Sequence, residues 1–588
     1  MTDHQIFLPR NYSDTDLRNR LAELAARRPR LATASNRLPD DPETARRAAA
    51  FMPRARQLLD EPTLTRIQTG RRLLDVSRTA LHRLGILSVA WMYEQDERFL
   101  RRAESELLAV CSFSDWNPSH YLDTGEMMLG VALAYDWLYD DLSPAARETI
   151  ADGLWRLGLK TADDDSSWWV TSTNNWGQVC HAGATAAALA LAEREPEVAF
   201  RVLRRAIHNL PLSMASYAPD GLYPEGPMYW CYGTSFNIVF FILVESALGT
   251  SYGLTEHPGF VESVDFMLHA TGPGNRFFNF ADSRYSSRQS LEMLWFSSHF
   301  DRPLPEQSPE AAAFLNNPEL LTRDRLSPLV LMFGVDQPRF ESSPDALPLD
   351  WHGRGGSEFT AFRSDWSPDA WYVAVKGGCP SVSHGHMDVG SFVLEALGQR
   401  WAEEGGAEDY HALESQGYNL WEGEQDGKRW DVFRYGVQSH NLPVIDNRRQ
   451  LINGVATMQV EELGGSSPAT TLDLTRLYGS PVFRRVVFEN RAAVVISDQL
   501  NELPAGKSVR WQMLTRATAS IDGGSVLTLT LGGVSLRLTV DQPVEWKVEE
   551  ASGLLNPWDS PMPDHRRVSF ELPVPESREL TWTVRFEA

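Results

Sequence analysis

Two histidines one residue apart, His384 and His386, and an aspartate two positions on, Asp388, stand in the Ser/Gly-rich stretch CPSVSHGHMDVGSFVLEALGQRW, residues 379–401. An imidazole titrates near neutrality, so a positioned histidine is a proton donor or acceptor, or a metal ligand. Side chains two apart in an extended chain share a face. His384 and His386 would then point the same way, one at a metal and the other at a substrate. A metal needs further ligands. EEGGAEDYHALE supplies Asp409 and His411, and YGVQSHNLPVID supplies His440. A His/Asp/His set suits zinc, with Asp388, Glu408 and His411 as supporting groups around it.

Three other stretches carry polar chemistry. In TSTNNWGQVCHAG, Asn174, Asn175, Trp176 and Gln178 precede a small-residue helix. Such amides are helix caps in the plain reading, and hydrogen-bond donors to a substrate carboxyl in the functional one. In YAPDGLYPEGPMYWCYG, Tyr223, Tyr229 and Tyr232 cluster beside Glu225. Clustered aromatics are core packing or a sugar platform, and a positioned tyrosine is a general acid, or a base once its pKa is lowered. GNRFFNFADSRYSSRQS brings Arg276, Arg284 and Arg288 among aromatics. These form a solvated face or bind sugar carboxylates and sulfates by paired hydrogen bonds.

The elements that must hold these residues fall into two halves. From about residue 15 to 335 apolar residues recur at helical spacing, as at Leu73, Val76, Ala80, Leu84 and Leu87. Ser143 and Pro144 read as the N-cap and first residue of a helix. Further helices are expected near 176–192, 196–210, 233–249, 259–270, 289–299 and 309–316, joined by short turns into antiparallel hairpins. Residues 336–357, rich in Pro, Gly and Ser, read as a linker. Beyond it the period becomes two, in EFTAFRS, AWYVAVKG, SFVLEAL, RRVVFEN, AAVVISDQ, VLTLTLGG, VSLRLTV and LTWTVRFE. The expected organisation is a helical domain over 1–335 and an antiparallel β-sandwich over 358–588.

A chain of 588 residues exceeds a single compact core. A net charge of −23 argues against a nucleic-acid partner. No uninterrupted apolar run of membrane-spanning length and no basic-then-apolar N-terminal segment is present, so neither a membrane span nor a signal peptide is expected. A cytoplasmic location follows, or a periplasmic one if a leader has been removed. The four cysteines, at 111, 180, 231 and 379, form no CxxC pair and read as free thiols.

Taken together, NNWGQV, DGLYPEGPMYW, FNFADS, SHGHMDVGSFVLEALGQRW and SHNLPVID resemble the heparinase II/III-like polysaccharide lyases, which include heparin and heparan lyases and oligoalginate lyases. The resemblance implies an incomplete (α/α) toroid followed by an antiparallel β-sandwich. It implies catalytic roles for Asn175, Tyr229 and His384, with Tyr232 as the competing register for the tyrosine. Gln178, Trp176, Tyr232, Glu225 and Arg284 would line the substrate, and a structural Zn2+ would sit on His386, Asp409 and His440. Some members have a histidine directly after the asparagine, where this chain has Trp176. His181 lies too far along to replace it. Members are often dimers, so a homodimer is expected.

The reaction so implied is β-elimination on a uronic-acid-containing poly- or oligosaccharide. Asn175 would neutralise the carboxylate, Tyr229 would exchange protons at C5 and O4, and His384 would assist, leaving an unsaturated uronate end. Two rivals stand beside it. A glycoside hydrolase acting on acidic sugars would need paired carboxyls, offered by Glu225 with Asp220 or Asp282. A non-catalytic carbohydrate-binding protein would leave the tyrosine and histidine idle.

Overall fold

The computed structural model describes residues 7–33, 37–38, 40–286, 291–306, 308, 317–333, 338–341 and 347–588. The chain divides into two compact units. One comprises Met1–Ser216, Cys231–Val261 and Arg288–Phe340, the other Tyr217–Trp230, Glu262–Ser287 and Glu341–Ala588. The units are thus not consecutive stretches. Two loops of the helical half, with their tyrosine, glutamate and aspartate, join the sheet-bearing unit.

The first unit is helical. Asp14–Ala25, Pro42–Asp60, Leu74–Glu94, Glu97–Cys111, Tyr121–Trp137, Pro144–Gly153, Asn175–Ala190 and Pro196–Met214 follow one another; Leu74–Glu94 packs on Pro42–Asp60, Glu97–Cys111 and Tyr121–Trp137, Asn175–Ala190 on Tyr121–Trp137 and Pro196–Met214, and Asp14–Ala25 on Pro196–Met214. Local signals set their ends. Ser143 accepts from Ala146 N at 3.2 Å ahead of Pro144, as the sequence predicts. Asn174, not Asn175, caps the Asn175–Ala190 helix, accepting from Trp176 N at 3.1 Å. That helix and Tyr121–Trp137 are buried nearly all round. They approach so closely that a Cβ on Gly183 would lie 2.1 Å from the Gly125 carbonyl oxygen. Pro227–Leu248 has a mean hydropathy of 1.5 over 18 residues, enough by length and composition to cross a bilayer. It is 89% buried within the protein, where all-round apolarity is that of a core helix. The helix expected at 309–316 lies outside the described residues.

The second unit is built on sheets. Five strands, β1 (Asp350–Gly353), β2 (Phe359–Arg363), β3 (Tyr372–Lys376), β4 (Phe392–Ala396) and β5 (Gln399–Ala402), pair antiparallel in chain order. β6 (Pro443–Ile445), β7 (Thr457–Glu461), β8 (Ala469–Asp473), β9 (Val482–Glu489), β10 (Ala493–Leu500), β11 (Ser508–Thr515), β12 (Thr518–Gly523), β13 (Val526–Leu531), β14 (Val534–Val540), β15 (Lys547–Glu550), β16 (Arg566–Pro573) and β17 (Leu580–Glu587) make two more sheets. One runs β12-β13-β14-β17-β10-β9-β8-β7 and the other β15-β16-β11-β6. Inward residues of all three share one core, including Phe362, Phe392, Trp401, Val486, Trp511, Phe570 and Trp582.

Polar bolts fix the sheets and the imported loops. Asn441 donates to the carbonyls of Phe392 (2.7 Å) and Glu403 (2.8 Å) and accepts from Leu514 N (2.7 Å), tying the five- and four-stranded sheets together. Arg484 and Asp498 form a fully buried two-bond pair at 2.7 and 2.9 Å. The imported loops attach by main-chain groups. Ser357 Oγ donates to Pro224 O (2.7 Å), Met228 N to Ser283 Oγ (2.9 Å), and Arg400 to Phe277 O (2.7 Å).

Candidate active site

Asp282, fully buried, is the centre of the second unit's polar cluster. One oxygen, Oδ1, meets His386 Nε2 at 2.9 Å. The other, Oδ2, meets His384 Nδ1 (2.9 Å), the Tyr410 hydroxyl (2.7 Å) and Arg429 Nη2 (2.9 Å). Burial opposes its ionisation, yet Arg429 and the two histidines outweigh burial and hold the carboxyl well below its usual range. Asp282 is therefore a carboxylate, and each imidazole gives it an N–H. This fixes the ring of His384 with Nδ1–H toward Asp282 and Nε2 on the opposite edge.

The bend that carries the histidines lies between β3 and β4. It is not extended. His384 has φ of 60°, in the left-handed region, and a Cβ on Gly385 would come 2.2 Å from Pro380 O. Main-chain bonds hold the bend: Asp282 N donates to His384 O (3.1 Å), and Arg429 donates to the His384 and Gly385 carbonyls (3.1 Å each). The two imidazoles converge through one carboxylate rather than through strand alternation.

Tyr229 stacks on His384 with ring centroids 4.1 Å apart and planes 17° from parallel. Its hydroxyl lies 3.1 Å from that of Tyr410. Tyr410 gives its proton to Asp282, so Tyr229 donates to Tyr410. Burial first, and then the charge of Asp282, push the Tyr229 phenol up, keeping it protonated at neutral pH. Glu225, also buried, places Oε2 3.8 Å from His384 Nε2, and that oxygen has no hydrogen-bond partner. Burial raises Glu225 to about 7, with His384 opposing and Asp282 adding to the rise.

The remaining expected residues are distributed as follows. Asn175, Trp176, Gln178 and Tyr232 belong to the first unit, and Glu225, Tyr229, Arg284 and His384 to the second. Asn175 is buried with its Oδ1 unpartnered. The Tyr232 hydroxyl is engaged elsewhere: it donates to buried Glu126 at 2.9 Å, and Glu126 also pairs with Arg78 (2.9 Å) and Arg325 (2.6 Å). Of the two registers, Tyr229 is the tyrosine that meets His384. Arg284 is exposed and Arg288 lies outside the described residues. His181 is buried, with one ring nitrogen on Val170 O at 3.1 Å, and burial lowers it to about 3.

The expected ligand trio does not assemble. Asp409 is exposed and caps the Tyr410–Ser415 helix, accepting from Ala412 N at 3.0 Å. The carboxylate beside His440 is Glu404, 2.6 Å from Nδ1. A cap bond commits the Asp409 carboxylate to the helix N-terminus, which removes it from the histidines. His386 and His440 do lie near one another, ring centroids 5.6 Å apart. Each has one nitrogen on a carboxylate and the other, His386 Nδ1 and His440 Nε2, buried without a partner. No group of three or more His, Cys, Asp or Glu side chains suited to a metal occurs among the described residues. A zinc site uses three or four protein donors, so His386 and His440 would need a donor other than Asp409. Of the supporting groups, Asp388 instead pairs with buried Lys376, Glu408 pairs with Arg434 at 2.6 Å, and His411 is exposed.

Asp282 stands out in the sequence only within FNFADS and as one of three carboxyls offered for hydrolysis, and nothing in the sequence singles out Arg429 or Tyr410. Each comes from a different loop, and nothing in local spacing joins residue 282 to 384, 410 and 429.

Residues 355–569 match the family model described as Heparinase II/III-like, C-terminal. No curated protein sequence matches the chain. Among solved structures, heparan sulfate lyase HepC from Pedobacter heparinus superposes with a TM-score of 0.59 at 15% identity, covering 97% of this chain and 87% of that one. A structure of heparinase III gives 0.63 at 12%, covering 97% and 89%. The chondroitin AC lyase of Streptomyces coelicolor A3, with chondroitin sulphate bound, gives 0.50 at 14%, covering 98% and 83%. At these identities the likeness is one of fold. Residues 355–569 are thus similar to a heparinase II/III-like C-terminal domain, and the chain as a whole is similar in its mixed helix-and-sheet fold to these lyases.

Proposed function

We propose that the protein is a polysaccharide lyase that cleaves uronic-acid-containing chains by β-elimination. The observation that carries this reading is the Asp282–His384–Tyr229–Tyr410 arrangement: a basic imidazole nitrogen and a protonated phenol, stacked in one place. His384 Nε2, its ring held by Asp282, removes the proton at C5 of the uronate. Tyr229, kept neutral by burial, delivers a proton to the departing O4; His384, having gained the C5 proton at Nε2, releases its Nδ1 proton to Tyr410, 3.1 Å away, and Tyr410 passes one to the Tyr229 phenolate. C5–H and C4–O break, a C4–C5 double bond forms, and no water is consumed. The Asn175 amide is assigned to the uronate carboxylate, stabilising the charge that builds there as the proton leaves. In the same reading the helices of the first unit form an incomplete (α/α) toroid and the sheets a β-sandwich. No step runs through a metal. Incubation with heparan sulfate, chondroitin, hyaluronan, alginate and glucuronan, followed by ultraviolet absorbance of the unsaturated uronate, tests the proposal. Absorbance growing on at least one polymer is expected, and silence on all five contradicts it.

One feature favours hydrolysis. Glu225, raised to about 7, and Asp282, held ionised, are the split pair of carboxyls an acid–base hydrolase uses. Asp282 is already bonded to two imidazoles, a phenol and a guanidinium. A carboxylate so occupied and fully buried is a poor base or nucleophile, so elimination is the better reading.

A further inference from the structure

Trp168 is 58% exposed, whereas its neighbour Trp169 is buried and stacks on Tyr121 with centroids 4.7 Å apart. The Trp168–Thr171 turn is thus anchored by one indole and presents the other to solvent. The presented ring does not stand alone. It meets half-buried Trp176 at 4.5 Å between centroids and a tilt of 53°. Trp176 is braced on its far side. His120 packs edge-on against it at 4.9 Å and 72°, and His120 Nδ1 is 2.8 Å from buried Asp123. Asp123 in turn accepts from Leu73 N and Asn117 Nδ2, both at 2.6 Å. Ser172 Oγ, bonded to Asn174 Oδ1 at 2.7 Å, secures the chain between the two indoles. The result is one indole, Trp168, presented to water and propped on a braced Trp176, the residue after Asn175.

We propose that Trp168, held in place by Trp176, forms a second sugar-binding subsite that stacks on the apolar face of a pyranose ring next to the uronate whose carboxylate Asn175 takes. An indole held rigid before binding loses little freedom when a ring lands on it. The C–H-bearing face of a pyranose covers the indole while its hydroxyls stay in water. The subsite rests on the lyase reading for its position along the substrate, but not for its affinity.

The test compares wild type, Trp168→Ala and Trp168→Phe. Oligosaccharides of increasing length from heparan sulfate, chondroitin, hyaluronan, alginate and glucuronan are titrated by calorimetry, and their cleavage is followed by absorbance. Trp168 is largely in water, so its replacement leaves folding intact, which circular dichroism checks. The alanine variant should weaken Kd and raise KM about tenfold, equivalent to about 1.4 kcal/mol, for oligosaccharides long enough to cover both subsites. The phenylalanine variant should recover most of the loss. A change of twofold or less at every length, or a loss confined to kcat, overturns the subsite. Binding that weakens in the alanine variant without any cleavage by wild type supports the subsite and sinks the lyase reading. Cleavage that ignores Trp168 does the reverse, and no binding by wild type at any length overturns both.

Discussion

At the scale of single residues, Asp282 decides what the site can do. It fixes the ring of His384, shares the network with Tyr229 through Tyr410, and balances the buried Arg429. Asp282→Asn would leave that guanidinium without its counter-charge. A loss of about 3–5 kcal/mol in stability is expected by denaturant titration, together with loss of turnover. Tyr229→Phe removes one hydroxyl from a stacked ring and should fold normally while turnover drops about 10²–10⁴-fold. Glu225 gives a pH signature. Its ordinary value of 4.5 rises to about 7 in the folded protein. The native state therefore holds a proton that the unfolded chain has released between these values. Stability from this group is full below pH 4.5 and is lost as pH rises through 7, by up to about 3 kcal/mol. Urea midpoints measured across that window should fall for wild type and fall less for Glu225→Gln. Equal slopes would show that Glu225 is ionised in the native state at neutral pH. The sequence offered Tyr229, Glu225 and His384 by type and motif. It did not offer the partners, because the bonds to Asp282 span more than one hundred positions from 282 to 384 and from 282 to 429.

At the scale of elements, spacing and end signals were reliable where local physics decides. Ser143–Pro144 starts its helix as read, and Asn174–Asn175 does begin one, although the cap is Asn174. The His-Gly-His stretch reads as a Ser/Gly-rich bend whose histidines share a face only if it is extended, and there tertiary contacts prevail. Its left-handed residue and its carbonyls are fixed by Arg429 and Asp282, neither of which is a neighbour in sequence. Asp409 was chosen by spacing, yet the start of a short helix takes its carboxylate. Helix packing supplies another test. With the Gly183 Cβ position 2.1 Å from Gly125 O, Gly183→Ala should force the two helices apart and cost about 1–3 kcal/mol. A Tm equal to that of wild type would mean that the contact yields without cost.

At the scale of the whole molecule, the change from helical to strand periodicity was legible because each half keeps one period. All eight strand segments read from alternation appear, from Phe359–Arg363 to Leu580–Glu587. Ser508–Thr515 and Arg566–Pro573 alternate as well, with Val509, Trp511 and Met513 opposite Leu572, Phe570 and Val568 on the core face, and their period of two was as legible as that of the segments read. The assignment of 217–230 and 262–287 to the sheet-bearing unit could not be read at all, since it rests on main-chain bonds of those loops rather than on composition. Net charge makes a prediction at this scale. A chain of −23 repels a polyanion at long range. Raising salt from low ionic strength toward about 0.15 M, where the screening length falls to about 8 Å, should therefore raise kcat/KM on a uronate polymer. A monotonic fall would mean that local arginines dominate the encounter. The most direct test of the central claim is product mass after cleavage in ¹⁸O-labelled water. Elimination by His384 and Tyr229 predicts a new non-reducing end lighter by one water and free of label, abolished by His384→Ala. Label at the newly formed reducing end, without the missing water, would contradict it.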